Sequence, residues 1–184
     1  MTSQFVLQPA EGELQDLSEQ YWQQSCNRER QLEKEAFEAG ASIRAGEYTL
    51  ANLEAIVRWK SEWQVNYLVG NSSDRIRRAL AAASSPDAST SEAMLALLEL
   101  RGVDMPTASS ILAVIFPERY IELNIADLEA LGLVRQDIRF YETYLDYCRG
   151  LAGKGLVKPQ EDVPGPTPLQ ALDRALAQWS RNRT

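Results

Sequence analysis

The stretch Thr107-Ala-Ser-Ser-Ile-Leu-Ala-Val-Ile-Phe116, held between Pro106 and Pro117, constrains the fold more than any other part of the chain. Its apolar residues run almost all round a helix, and a helix without a polar face has to be covered on every side. Pro106 suits the first helical turn, where a missing N–H leaves nothing unsatisfied, and Pro117 cannot continue the helix. The other segments must therefore wrap around residues 107–116, and their patterning is suited to that.

Leu14, Leu17 and Tyr21 fall at helical spacing in a proline-free run that Gly40 is expected to end. Thr49 is expected to cap a helix carrying Leu50, Leu53, Ile56 and Val57, with Trp59 and Trp63 in or beside the next turn. Ser73 opens a short basic helix with Ile76 and Leu80, and Met94, Leu97 and Leu98 follow a loop rich in capping residues. Asn124 is expected to cap a helix through Leu128 and Leu131, with Gly132 as its stop. Tyr141, Leu145 and Cys148 form one stripe and Phe140, Tyr144 and Tyr147 a second, so both faces of that helix should meet protein. After a Gly/Pro-rich linker, Thr167 caps a last helix carrying Leu169, Leu172, Leu176 and Trp179. No segment alternates as a strand would. The pattern predicts an all-α fold of eight or nine helices, with an acidic helical extension over residues 1–48 and a helical domain over 49–184.

The balance of 45% hydrophobic and 24% charged residues in 184 is that of a chain able to bury its own core. With no histidine, Ser-His-Asp and Cys-His nucleophile systems and imidazole acid–base chemistry are excluded. Cys26 and Cys148 are too few for a Cys₄ zinc site or an iron–sulfur cluster, and sequence alone leaves open whether they pair. No run of residues is long and apolar enough to span a membrane, and the N-terminus lacks the pattern of a secretory signal. A cytoplasmic protein with no cofactor and no metal is expected. The net charge of −7 argues against a generally basic nucleic-acid-coating protein but leaves room for a local basic patch. Residues 1–40 carry eight acids against three bases, which makes the first helix a candidate surface for a protein partner.

The informative segment is Leu100-Arg-Gly-Val-Asp-Met-Pro-Thr-Ala-Ser-Ser-Ile-Leu112. One helix ends near Gly102 and the next starts near Pro106, so the turn leaves free backbone N–H groups at a helix N-terminus, a natural phosphate site. The segment resembles the hairpin of the helix-hairpin-helix DNA glycosylase superfamily that includes endonuclease III. Downstream, Phe116-Pro-Glu-Arg-Tyr-Ile-Glu-Leu-Asn-Ile-Ala-Asp resembles that family's loop leading to its catalytic aspartate. Trp59-Lys-Ser with Asn71, and Leu172-Asp-Arg-Ala-Leu with Trp179, are similar to stretches in small members, so the resemblance spans about residues 49–180. It implies a glycosylase-like fold and duplex DNA as a partner, with Gly102, Val103 and Thr107 of the hairpin as contacts; Arg75, Arg77 and Arg78 on the short basic helix are candidate phosphate contacts beside the alternative of a solvated charge cluster.

The departures are at working positions. The resemblance places the catalytic aspartate at Asn124, and an amide can act neither as a general base nor as a full negative charge. It places the Schiff-base lysine at Pro106, where there is no amine. Asp104 replaces the second hairpin glycine and sets a carboxylate where a phosphate would approach. The expectation is thus a degenerate member without base-excision chemistry, a nucleic-acid or protein binding module. One rival is an active glycosylase with a displaced acid, Asp127 or Glu122; another is a partner-binding protein with no DNA role. Trp59, Trp63 and Tyr67, four residues apart, are expected in the core. Tyr141, Tyr144 and Tyr147 are expected to pack rather than to line a pocket, and Glu118, Glu122 and Asp127 show no diagnostic metal spacing.

Overall fold

A computed structural model describes residues 5–124, 128, 130–132 and 137–183. Among these residues there are nine α-helices, two 3-10 turns and no strand. The helices are α1 (Leu14–Gln24), α2 (Asn27–Arg44), α3 (Leu50–Lys60), α4 (Val65–Leu68), α5 (Ser73–Ala83), α6 (Thr90–Leu98), α7 (Met105–Ile115), α8 (Ile138–Ala152) and α9 (Pro168–Arg181). The all-α expectation holds.

Helix α7 is the hub. Every residue from Thr107 to Ile115 is buried, and α2, α3 and α6 all pack on it. The proline-free first run is broken at Ser25 and Cys26, whose extended backbones (ψ 135° and 165°) separate α1 from α2. Gly40 does not stop the helix. It lies inside α2 because α2 crosses α7 there at backbone contact: a Cβ on Gly40 would sit 2.2 Å from the Val114 carbonyl oxygen. The first 48 residues thus contribute Leu14, Leu17, Ala36, Ala39 and Ile43 to the same core as the rest.

The two ends of the chain meet, with α1 lying along α9. A buried ion pair ties α2 to α9: Arg174 Nη2 is 2.6 Å from Glu33 Oε1, and Arg174 also donates to the Pro164 carbonyl at 2.5 Å. Cys26 is exposed and Cys148 is buried, and the two are not joined by a disulfide. No helix among the described residues is long and apolar enough to cross a membrane.

Candidate functional site

After α7 the chain runs as an extended strap, residues 120–124, with no helix to satisfy its backbone. Buried backbone polar groups need partners, and side chains supply them. Gln170 donates to the Tyr120 carbonyl at 2.8 Å, and the Tyr141 and Tyr144 hydroxyls donate to the carbonyls of Ile121 and Glu122 at 2.9 Å each. The Leu123 N–H donates to Ser109 Oγ at 2.8 Å. Tyr141 and Tyr144 are fully buried, as expected of packing residues, but their hydroxyls fix the position of the strap. Burial raises the Tyr141 hydroxyl well above its ordinary range, so it remains a donor.

The strap delivers Glu122 and Asn124 into a cleft of about 260 Å³, walled by Tyr21, Trp59, Lys60, Asp173 and Arg181. Lys60 Nζ donates to Glu122 Oε1, and Asn124 Nδ2 donates to the same oxygen at 3.2 Å. Both partners of the ion pair are largely shut from solvent, with 17% and 9% of the side chain exposed. Asp173 is the anomaly: its Oδ1 is buried with no hydrogen-bond partner among the described residues. Burial, reinforced by the neighbouring Glu122 carboxylate, holds the Asp173 carboxyl well above the usual carboxylate range. Burial and the nearby Glu33 raise the Tyr21 hydroxyl too. At the rim the Arg181 guanidinium lies 4.5 Å from the Tyr21 ring and 3.8 Å from Glu29.

The hairpin has its expected turn. Gly102 has φ +82°, and Asn71 clamps the residue before it, accepting from the Arg101 N–H at 2.9 Å and donating to the Arg101 carbonyl at 3.0 Å. Asp104 caps α7. Its Oδ1 accepts from the Thr107 N–H at 2.9 Å and lies 2.7 Å from the Thr107 hydroxyl, while Oδ2 accepts from Gln64 Nε2 at 3.0 Å. A carboxylate of the chain itself therefore sits on the helix N-terminus. Val103 and Thr107 are buried beneath the turn.

Arg75 reaches the hairpin and donates to the Glu99 carbonyl at the end of α6. Arg77 pairs with Asp74 at 3.2 Å on its own helix, and Arg78 lies with Arg75 along a groove between α5 and α6. Glu118 turns to Arg44 at 3.7 Å, away from Glu122, and Asp127 lies outside the described residues. Among the described residues no three His, Cys, Asp or Glu side chains are grouped to hold a metal. No family model, curated protein or solved structure matches the chain. The site is therefore judged on its own chemistry.

Of the cleft residues, Glu122 and Asn124 were singled out from the sequence with little weight, whereas the roles of Lys60 and Asp173 there were missed. A lone aspartate on an amphipathic helix looks like surface, and only the tertiary packing that forms the cleft encloses it. The core expectation for the aromatic series is corrected as well. Trp59 is half-buried, while Trp63 and Tyr67 are 64% and 58% exposed. The cause is Ser61, whose extended backbone (φ −161°, ψ 99°) ends α3 and breaks the helical phase between Trp59 and Trp63.

Proposed function

We propose that this chain acts on nucleic acid and cleaves an N-glycosidic bond in the Asn124 cleft, with Glu122 and Asp173 in place of the aspartate that the glycosylase resemblance puts at Asn124. The observation carrying the proposal is the Asp173 carboxyl, with its buried Oδ1 left without a partner among the described residues, beside the Glu122–Lys60 pair in one concave site. A buried ionisable group with a shifted protonation equilibrium, set in a cleft beside a charge partner, makes that cleft a candidate working site. Leaving an N-glycosidic bond requires a proton on the departing base and negative charge near C1′ as it turns cationic. Asp173 is the proton donor, and Glu122 is the anion, oriented by Lys60 and Asn124. The half-buried Trp59 indole on the cleft wall offers a flat apolar surface for a base. The C1′–N bond breaks as the base leaves with the Asp173 proton; water then adds to C1′, its proton returns to the Asp173 carboxylate, and the products are the free base and a deoxyribose hydroxyl.

The direct test is incubation with oligonucleotides carrying uracil, 8-oxoguanine or alkylated bases, followed by chromatography of the released base. Release above the protein-free control supports the proposal, and absence of release from every such substrate overturns it.

A second reading, a partner-binding protein with no DNA role, is favoured by Asp104. Its carboxylate occupies the hairpin's anion site, which weakens phosphate contact of the usual kind. Under that reading the protein neither holds oligonucleotides nor releases a base, so the same incubation separates the two.

A further inference from the structure

The hairpin's outer face carries features that the cleft does not use. Trp63 and Tyr67 stand in solvent with their ring centroids 5.7 Å apart and their planes at 88°. They edge a shallow groove of about 260 Å³ that continues over Gly102 and Asp104. Next to it the Arg101 side chain lies along Gly70: a Cβ built there would be 3.0 Å from Arg101 Cδ and 3.2 Å from Nη1. Beyond the turn, a wider groove of about 450 Å³ runs between α5 and α6, floored by alanines and bordered by Arg75, Arg78 and Glu99. Arg78 and Arg101 make no ion pair among the described residues. The nearby acids are mostly occupied: Asp104 by Thr107 and Gln64, Glu62 by Arg28 at 2.8 Å, and Asp74 by Arg77.

Two exposed rings followed by unneutralised guanidinium groups match the requirements of a single strand. Unpaired bases present free faces that stack on aromatic rings, and arginines follow the phosphates. A duplex has its faces stacked internally and would instead need the helix N-terminus of the hairpin, which Asp104 fills. We infer that the face running from Trp63 and Tyr67 past Arg101 to Arg75 and Arg78 is a track for single-stranded DNA. The track deepens the nucleic-acid reading proposed above, yet it rests on its own groups and is tested by binding alone.

The test is fluorescence anisotropy with a labelled 20-nucleotide oligothymidine, a duplex of equal length and the corresponding RNA, at two salt concentrations. These oligonucleotides hold no excisable lesion, so the outcome is independent of base release. The single strand is expected to bind more tightly than the duplex. W63A and Y67A are each expected to weaken it by roughly 5- to 100-fold, the range set by the loss of one stacked base. Both side chains are exposed, so circular dichroism and melting should be unchanged; W63F, which keeps a ring, should restore most of the affinity. R101A should lower the salt slope by about 0.7, the value for one phosphate contact on a single strand. Preference for the duplex or for RNA, or W63A and Y67A affinities equal to that of the unaltered chain, would overturn the inference.

Discussion

Asp173 carries the most unusual chemistry of any residue here, and its protonation has a consequence for stability. In the folded chain burial and Glu122 raise its carboxyl above the ordinary range, whereas in the unfolded chain it titrates near the usual aspartate value of about 3.9. Between those two values the folded state holds a proton that the unfolded state has lost. This contribution is therefore complete below the unfolded value and is lost as pH rises through the folded one. Glu33, also raised by burial against the opposing pull of Arg174, acts in the same direction. D173N removes the titration while keeping the shape. It should melt higher than the unaltered chain at pH 8, and the gap should narrow as pH falls toward the ordinary aspartate value. At roughly 2–4 °C per kcal/mol for a chain of this length, a gap of several degrees is readable by circular dichroism. A constant gap, or one that widens on acidification, would contradict the assignment. None of this was visible in the sequence, where Asp173 stands among Leu172, Arg174 and Leu176 on an ordinary amphipathic stripe. The departures at Asn124, Pro106 and Asp104 were visible, because each replaces a residue type that a known chemistry needs.

Two contacts between elements hold the hub and the closing helices together. Where α2 crosses α7, Gly40 permits backbone contact with Val114. G40A forces apart two helices of the core, and an overpacked core contact of this kind costs typically about 1–3 kcal/mol; chemical denaturation should show that loss, and an unchanged midpoint would mean the crossing is not tight. The Glu33–Arg174 pair spans α2 and α9 with both side chains almost entirely buried. E33A leaves Arg174 charged and only partly partnered, for an expected loss of about 3–5 kcal/mol. Replacing both partners with apolar residues of similar volume should lose much less, because no charge is stranded. The helices were legible from apolar spacing and caps: Thr49, Ser89 and Thr167 all accept from the N–H three residues on. Their ends were less so. Gly40 reads as a stop when only the local chain is considered, and Ser61 breaks a register that spacing alone would continue. The strap at 120–124 has no periodicity to read, since its partners, Gln170, Tyr141, Tyr144 and Ser109, come from three other helices.

Taken whole, the molecule is a set of helices wrapped round α7, with a polar cleft where the two chain ends close against the strap and an aromatic, arginine-bearing face beside the hairpin. The net charge of −7 is compatible with both, because Asp104, Glu62 and Asp74 near the hairpin are engaged by partners within the chain. The central claim is that Glu122 and Asp173 form the working pair. It is tested most directly by single-turnover base release from lesion-bearing oligonucleotides by the unaltered chain, E122Q and D173N. Removing one preorganised electrostatic group costs about 10²–10³ in rate. The account predicts release by the unaltered chain and losses of that order in each variant, with oligothymidine binding preserved. Release at the same rate by E122Q and D173N, or no release by the unaltered chain, would contradict it.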